Sequence, residues 1–120
     1  MIYLTIIIPI RNEEKYIEDT LTSLVSQDYP SERFEVIVVD GMSMDATRAK
    51  VEIFISEHPD FNIQLLENPG CLSSRARNIG VRAARGRLIG VIDGHVHIPN
   101  NMLFKTMEKL KENNGALCLA

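Results

Sequence analysis

Short apolar runs alternate along the chain with stretches whose apolar residues recur every three or four positions. Residues 3–8 form a β-branched run closed by Pro9, which cannot donate to a ladder and so predicts the end of a first strand. Residues 34–39 predict a second buried strand, followed by Asp40 and Gly41, and residues 63–66 a short third. Residues 88–92 are apolar on both parities, so this fourth strand has no wet face and suits the middle of a parallel sheet. Residues 116–119 look like the start of a fifth.

Helical spacing fills the intervals. Tyr16, Ile17, Leu21, Leu24 and Val25 give one apolar stripe, with Asn12 as its predicted cap, Glu13 and Glu14 in its first turn, and a stop by residues 27–30. Ser43 or Asp45 is the expected cap of a second helix that runs to about Ser56 and turns Ala49, Ile53 and Phe54 inward. A third opens at Ser73 or Ser74 and carries Ala76, Ile79, Gly80, Ala83 and Ala84, small residues that imply close packing on a sheet. Gly86 suits its C′ position. A fourth spans about residues 101–112, with Gly115 beyond it. The alternation predicts an α/β, Rossmann-like, mostly parallel sheet with helices on both faces. With no helix to cover a fifth strand, the unit is expected to be incomplete at its C-terminus, and its open edge would invite self-association.

Composition narrows the function classes. One hundred and twenty residues make one domain with a real core, and a net charge of -3 argues against a nucleic-acid binder. No apolar run approaches the ~20 residues of a membrane span, and residues 1–9 lack the length and the basic leader of a signal peptide. Two widely separated cysteines, Cys71 and Cys118, form no metal or redox motif; their sparsity fits a reducing compartment and a cytoplasmic location, with Cys118 a small core residue.

The candidate chemistry gathers at strand ends, where open α/β sheets collect their ligands. Asp93 follows the fourth strand and Asp40 the second; with Arg11 after the first, they predict one functional rim. Asp40 could accept a hydrogen from a base or a ribose hydroxyl, although Asp-Gly is also ordinary turn chemistry. Asp93 and His95, separated by Gly94, make a plausible half-site for a divalent metal. His97 would face the opposite way, and His58 has no assigned role. Arg82, Arg85 and Arg87 sit where the helix dipole favours solvated cations, whereas Arg75 and Arg77 lie against the dipole and would be explained by a diphosphate. The chain lacks a Walker-type loop, a G-x-G-x-x-G and a Ser/His/Asp arrangement, which weighs against a P-loop ATPase, a dehydrogenase and a hydrolase.

With these residues in place, the chain resembles the family-2 inverting glycosyltransferases of the GT-A fold over essentially its whole length. The resemblance rests on Thr5-Ile6-Ile7-Ile8-Pro9-Ile10-Arg11-Asn12-Glu13, on Val36-Ile37-Val38-Val39-Asp40-Gly41-Met42-Ser43-Met44-Asp45-Ala46-Thr47, on Ser74-Arg75-Ala76-Arg77-Asn78-Ile79-Gly80 through Gly86, and on Ile92-Asp93-Gly94-His95. It implies a nucleotide-diphosphate sugar as donor, a sugar or lipid-linked acceptor in polysaccharide or glycoconjugate synthesis, and Mn²⁺ or Mg²⁺ as cofactor. It also implies that Pro9, Ile10, Arg11, Asn12 and Glu13 cradle the nucleoside and that Asp40 contacts the base. Asp93 matches the first acid of the family's Asp-X-Asp metal motif. The second acid is His95 here, and a nitrogen ligand tilts the preference toward Mn²⁺. The family's catalytic base would lie beyond Ala120, so residues 1–120 are expected to hold the donor-binding part alone. The competing readings are a non-catalytic nucleotide-binding module of the same fold and a nucleotidyltransferase; the latter would place a glycine-rich basic loop where Ile10-Arg11-Asn12-Glu13 stands.

Overall fold

Parity along two central strands organises the molecule. The computed structural model describes residues 2–70 and 72–112. Its elements, in order, are β1 (Leu4–Ile10), α1 (Ile17–Val25), β2 (Phe34–Asp40), α2 (Thr47–Glu57), β3 (Asn62–Glu67), α3 (Ser73–Ala83), β4 (Leu88–Val91) and α4 (Met102–Glu112). All pairings are parallel and the strand order is β3-β2-β1-β4. On one face Leu4, Ile6, Ile8 and Ile10 join Val36 and Val38 beneath Ile17, Leu21 and Leu24 of α1, Val51 and Phe54 of α2, and Leu103 of α4. On the other, Ile7, Ile37 and Val39 meet Ala76 of α3. Successive side chains thus serve opposite helical layers, and every residue of β2 is buried.

Small residues let α3 sit close. A Cβ on Gly80 would come within 2.7 Å of the Ile7 side chain, so helix and strand touch almost backbone to side chain there. Gly86 does similar work at the entry to β4, where a Cβ would lie 2.7 Å from the Thr5 backbone nitrogen.

Several expectations need correction. Pro9 does not end β1; it lies within the strand, in register with Val39. The carbonyl of Ile7 accepts from Ile92 and that of Ile10 from Gly41, so odd positions of β1 face β4, and the pairing with β4 ends at Ile7↔Val91. The proline's missing N–H therefore faces a side with no ladder left to complete. Asn12 does not cap α1, which starts at Ile17 after Tyr16; its side chain is used elsewhere. Tyr16 is exposed rather than part of the apolar stripe. Neither Ser43 nor Asp45 stands at the cap of α2, which is Ala46, although Asp45 accepts from the Thr47 N–H one position further on. Ala49 and Ile53 face solvent, because the inward stripe of α2 is Thr47, Val51 and Phe54. Gly86 is not the C′ residue, since α3 ends at Ala83 with Ala84 as its cap.

The fourth strand departs most from expectation. It ends at Val91, stands at the edge of the described sheet, and leaves Ile89 partly exposed. Gly115, residues 116–119, Cys71 and Cys118 lie outside the described residues. Among the described residues no helix is long and apolar enough to cross a membrane.

Candidate functional site

The order β3-β2-β1-β4 places a topological switch point between β1 and β4. From β1 the chain moves outward through β2 and β3, then returns over the opposite face to β4. Loops leaving the carboxyl ends of β1 and β4 therefore start out there toward opposite sides of the sheet, at the place where such open sheets bind ligands. The two loops bordering it are residues 11–16 and 92–97.

The loop after β1 is stapled to the loop after β2. Asn12 donates its N–H to Ser43 Oγ (2.8 Å), and its Oδ1 accepts from the Met44 N–H (2.8 Å). Glu13 N–H reaches Thr47 Oγ1 (2.9 Å), and Glu14 Oε2 accepts from Ala46 N–H (3.1 Å). Lys50 Nζ adds a bond to the Glu14 carbonyl (2.8 Å). Asp40 supports this from below. Its carboxylate accepts from Ser43 Oγ (2.5 Å) and Ser43 N–H (3.1 Å), and it is only 1% exposed. In this arrangement Asp40 braces the loop. Asp45 does the same at the entrance to α2: the Thr47 hydroxyl, helped by weaker bonds from backbone N–H groups, holds its carboxyl below the usual range against the opposing effect of desolvation. Asn12 and Met42 both have left-handed backbones, with φ of 54° and 65°.

The loop after β4 is pinned onto the end of β1. A Cβ on Gly94 would lie 2.5 Å from Ile10 Cγ2 and 3.3 Å from Glu13 Cγ, so only glycine lets the segment lie this close. Thr20 Oγ1, fully buried on α1, meets the Gly94 carbonyl at 3.0 Å and the Val96 carbonyl at 2.8 Å. On either side of Gly94, Asp93 and His95 are exposed. His95 Nδ1 stands 3.4 Å from Glu13 Oε1, and its ring meets Tyr16 edge-on.

Predicted residues thus fall into two groups. Pro9, Ile10, Arg11, Asn12 and Glu13 share one rim with Asp40, Asp93 and His95. Arg75 and Arg77 stand on the first turns of α3, both exposed, with the Arg75 side chain lying across Gly70. Arg85 is more than a solvated cation. At the opposite end of the sheet its N–H (2.6 Å) and Nε (3.1 Å) bind Glu35, which also accepts from Thr5 Oγ1 (2.7 Å). Burial alone would push the Glu35 carboxyl up, but these hydrogen bonds and the Arg85 charge together hold it below its ordinary value. The signal for this buried acid was present in the sequence as a charge inside an otherwise apolar strand.

Among the described residues no three His, Cys, Asp or Glu side chains are gathered as a complete metal cage. Two exposed donors on a pinned loop, one of them beside the Glu13 carboxylate, fit an ion whose remaining ligands come from a diphosphate.

Residues 5–120 match the family described as Glycosyl transferase family 2. The chain belongs to this family. It is 31% identical over 98% of its length to a Methanococcus voltae dolichyl N-acetyl-alpha-D-glucosaminyl phosphate 3-beta-D-2,3-diacetamido-2,3-dideoxy-beta-D-glucuronosyltransferase, covering 37% of that protein. It is 30% identical over 99% of its length to the poly(ribitol-phosphate) beta-N-acetylglucosaminyltransferase TarS of Staphylococcus aureus, covering 21% of it. The chain therefore spans about a fifth to just over a third of these relatives. A crystal structure of TarS with UDP superposes with a TM-score of 0.82, at 29% identity over 94% of this chain and 33% of that one. The Pyrobaculum calidifontis mannosyltransferase PcManGT, in complex with GDP-Man and Mn²⁺, gives 0.86 at 32% identity over 89% of this chain and 32% of that one. These neighbours establish the GT-A glycosyltransferase fold for the described sheet and helices.

Proposed function

We propose that residues 1–120 are the donor-binding part of a glycosyltransferase that moves a sugar from a nucleotide-diphosphate sugar to an acceptor hydroxyl in polysaccharide or glycoconjugate synthesis, with inversion. The observation that carries this reading is the switch-point rim, where the stapled 11–16 loop and the pinned 92–97 loop bring Asn12, Glu13, Asp93 and His95 together. The donors bound by the structural neighbours, UDP, UDP-GlcNAc and GDP-Man, support a nucleotide-sugar ligand.

In this assignment Asp93 and His95 hold a divalent ion, Mn²⁺ or Mg²⁺, which when bound would neutralise charge on the leaving diphosphate. The chain's own residues do the positioning. Glu13 stands beside the His95 ring, Thr20 and Gly94 fix the loop's height above Ile10, and the Pro9-to-Glu13 segment cradles the nucleoside. Asp40 braces the β2 loop beneath the base, and turning it directly onto a base would require Ser43 to release it. Arg75 and Arg77 supply positive charge at the start of α3 for the phosphates. The base that activates the acceptor is assigned outside these 120 residues, in the part that makes the relatives longer.

Titration calorimetry of the chain with UDP and GDP, with Mn²⁺ and then with a chelator, tests the reading. Binding that requires the ion supports a donor site. Binding indifferent to the ion favours a non-catalytic nucleotide-binding module, and no binding of either nucleotide refutes both.

A further inference from the structure

Resting on the donor-site reading above, we infer that Met42 is a nucleobase-contacting residue whose thioether side chain packs against the face of the base. Among the described residues only Asn12 and Met42 are non-glycine residues with a positive φ. Asn12 is compensated, because asparagine tolerates the left-handed region and its Oδ1 receives the Met44 N–H. Met42 has no such compensation, and its unbranched apolar side chain gains nothing from a left-handed backbone.

The conformation persists because both neighbours are fixed. Gly41 N–H is bound to the Ile10 carbonyl (2.8 Å), and Ser43 is bound through both its N–H and its hydroxyl to Asp40. Such over-determined strain marks functional positions. Glycine would meet the same backbone requirement at no cost, so what methionine adds is its side chain. That side chain is 47% exposed and belongs to neither core cluster, so packing of the fold does not explain it.

Position decides the ligand group. β2 and β4 flank β1 on opposite sides, about 10 Å apart across the sheet. With the cation and diphosphate assigned to the Asp93–His95 loop on the β4 side, the nucleoside end of a donor extends over β1 toward the β2 loop. A flat π-face arriving there meets a polarizable, adaptable sulfur side chain, a favourable contact for either a pyrimidine or a purine.

The test compares the wild-type chain with Met42→Gly and Met42→Leu, measuring melting temperature and calorimetric affinity for UDP, GDP and, as a base-free probe, inorganic pyrophosphate with Mn²⁺. Met42→Gly is expected to melt at or above the wild-type temperature while binding UDP and GDP about three- to ten-fold more weakly. Its pyrophosphate affinity stays unchanged, and Met42→Leu retains most of the nucleotide affinity. Unchanged UDP and GDP affinity in Met42→Gly, an equal loss for pyrophosphate, or a large fall in melting temperature would each overturn the inference. A wild-type chain that binds neither nucleotide would overturn the donor-site reading and this inference with it, an outcome distinct from the others.

Discussion

Gly94→Ala tests how the 92–97 loop is seated. The glycine's backbone is not left-handed, so what it supplies is room rather than conformational freedom. The added methyl would stand 2.5 Å from Ile10 Cγ2, against a comfortable carbon–carbon separation of about 3.5–4.0 Å, leaving a deficit of roughly 1–1.5 Å. Ile10 cannot yield easily, being 5% exposed and part of the core beneath α1. The loop must rise instead, and that strains the Thr20 hydroxyl's contacts with the Gly94 and Val96 carbonyls. Overpacking of this kind costs about 1–3 kcal/mol. For a domain of this size each kcal/mol lowers the melting temperature by roughly 4 °C, so a fall of about 4–12 °C is expected in thermal denaturation followed by circular dichroism. Ile10→Leu removes the offending Cγ2 at nearly constant volume and alone should cost less than about 1.5 kcal/mol. In the double variant the two effects should couple by about 1 kcal/mol or more. A neutral Gly94→Ala, or effects that add within about 0.5 kcal/mol, would refute the seating described here.

Gly80→Ala should destabilise by about 1–3 kcal/mol in urea unfolding, because its Cβ would meet fully buried Ile7 at 2.7 Å. Glu35 has a lowered folded-state pKa, so its contribution is fully present above the unfolded carboxyl value of ~4.3 and fades as pH falls through the folded value. Glu35→Gln should therefore cost about 1.5–3 kcal/mol at pH 7 and flatten the loss of stability below about pH 4.3, as read from denaturant midpoints across pH. Asp93→Ala should abolish metal-assisted nucleotide binding in calorimetry, and His95→Asp should move the preference from Mn²⁺ toward Mg²⁺ with the nucleotide still bound.

Much of this architecture was legible in the residues. The apolar runs gave the parallel strands, and the small-residue face of α3 announced its close approach to Ile7. What escaped was tertiary. Asn12 has the chemistry of a helix cap, yet its side chain is satisfied by the β2 loop, some thirty residues distant, which no local pattern encodes. Pro9 is tolerated in a strand because of where the β4 ladder stops, a property of its neighbour rather than of its own sequence. Ala49 and Ile53 misled because the stripe of α2 runs through Thr47, a polar residue buried by its bonds to Glu13 and Asp45. That Asp93 and His95 share one exposed loop after β4 could be read from their spacing. Glu13 as the partner of His95 and Thr20 as the anchor of the loop emerge only when α1 and β4 are brought together.

The central claim is that a nucleoside diphosphate and its divalent ion bind at the β1/β4 switch point. Paramagnetic broadening maps this directly: Mn²⁺ is titrated with UDP into the ¹⁵N-labelled chain while backbone amide signals are followed. The account predicts that broadening centres on Asp93, Gly94 and His95, extends to Asn12 and Glu13, and leaves Glu35 and Arg85 at the far end of the sheet sharp. Broadening centred on Glu35 and Arg85, or spread evenly over the exposed acids, would contradict it.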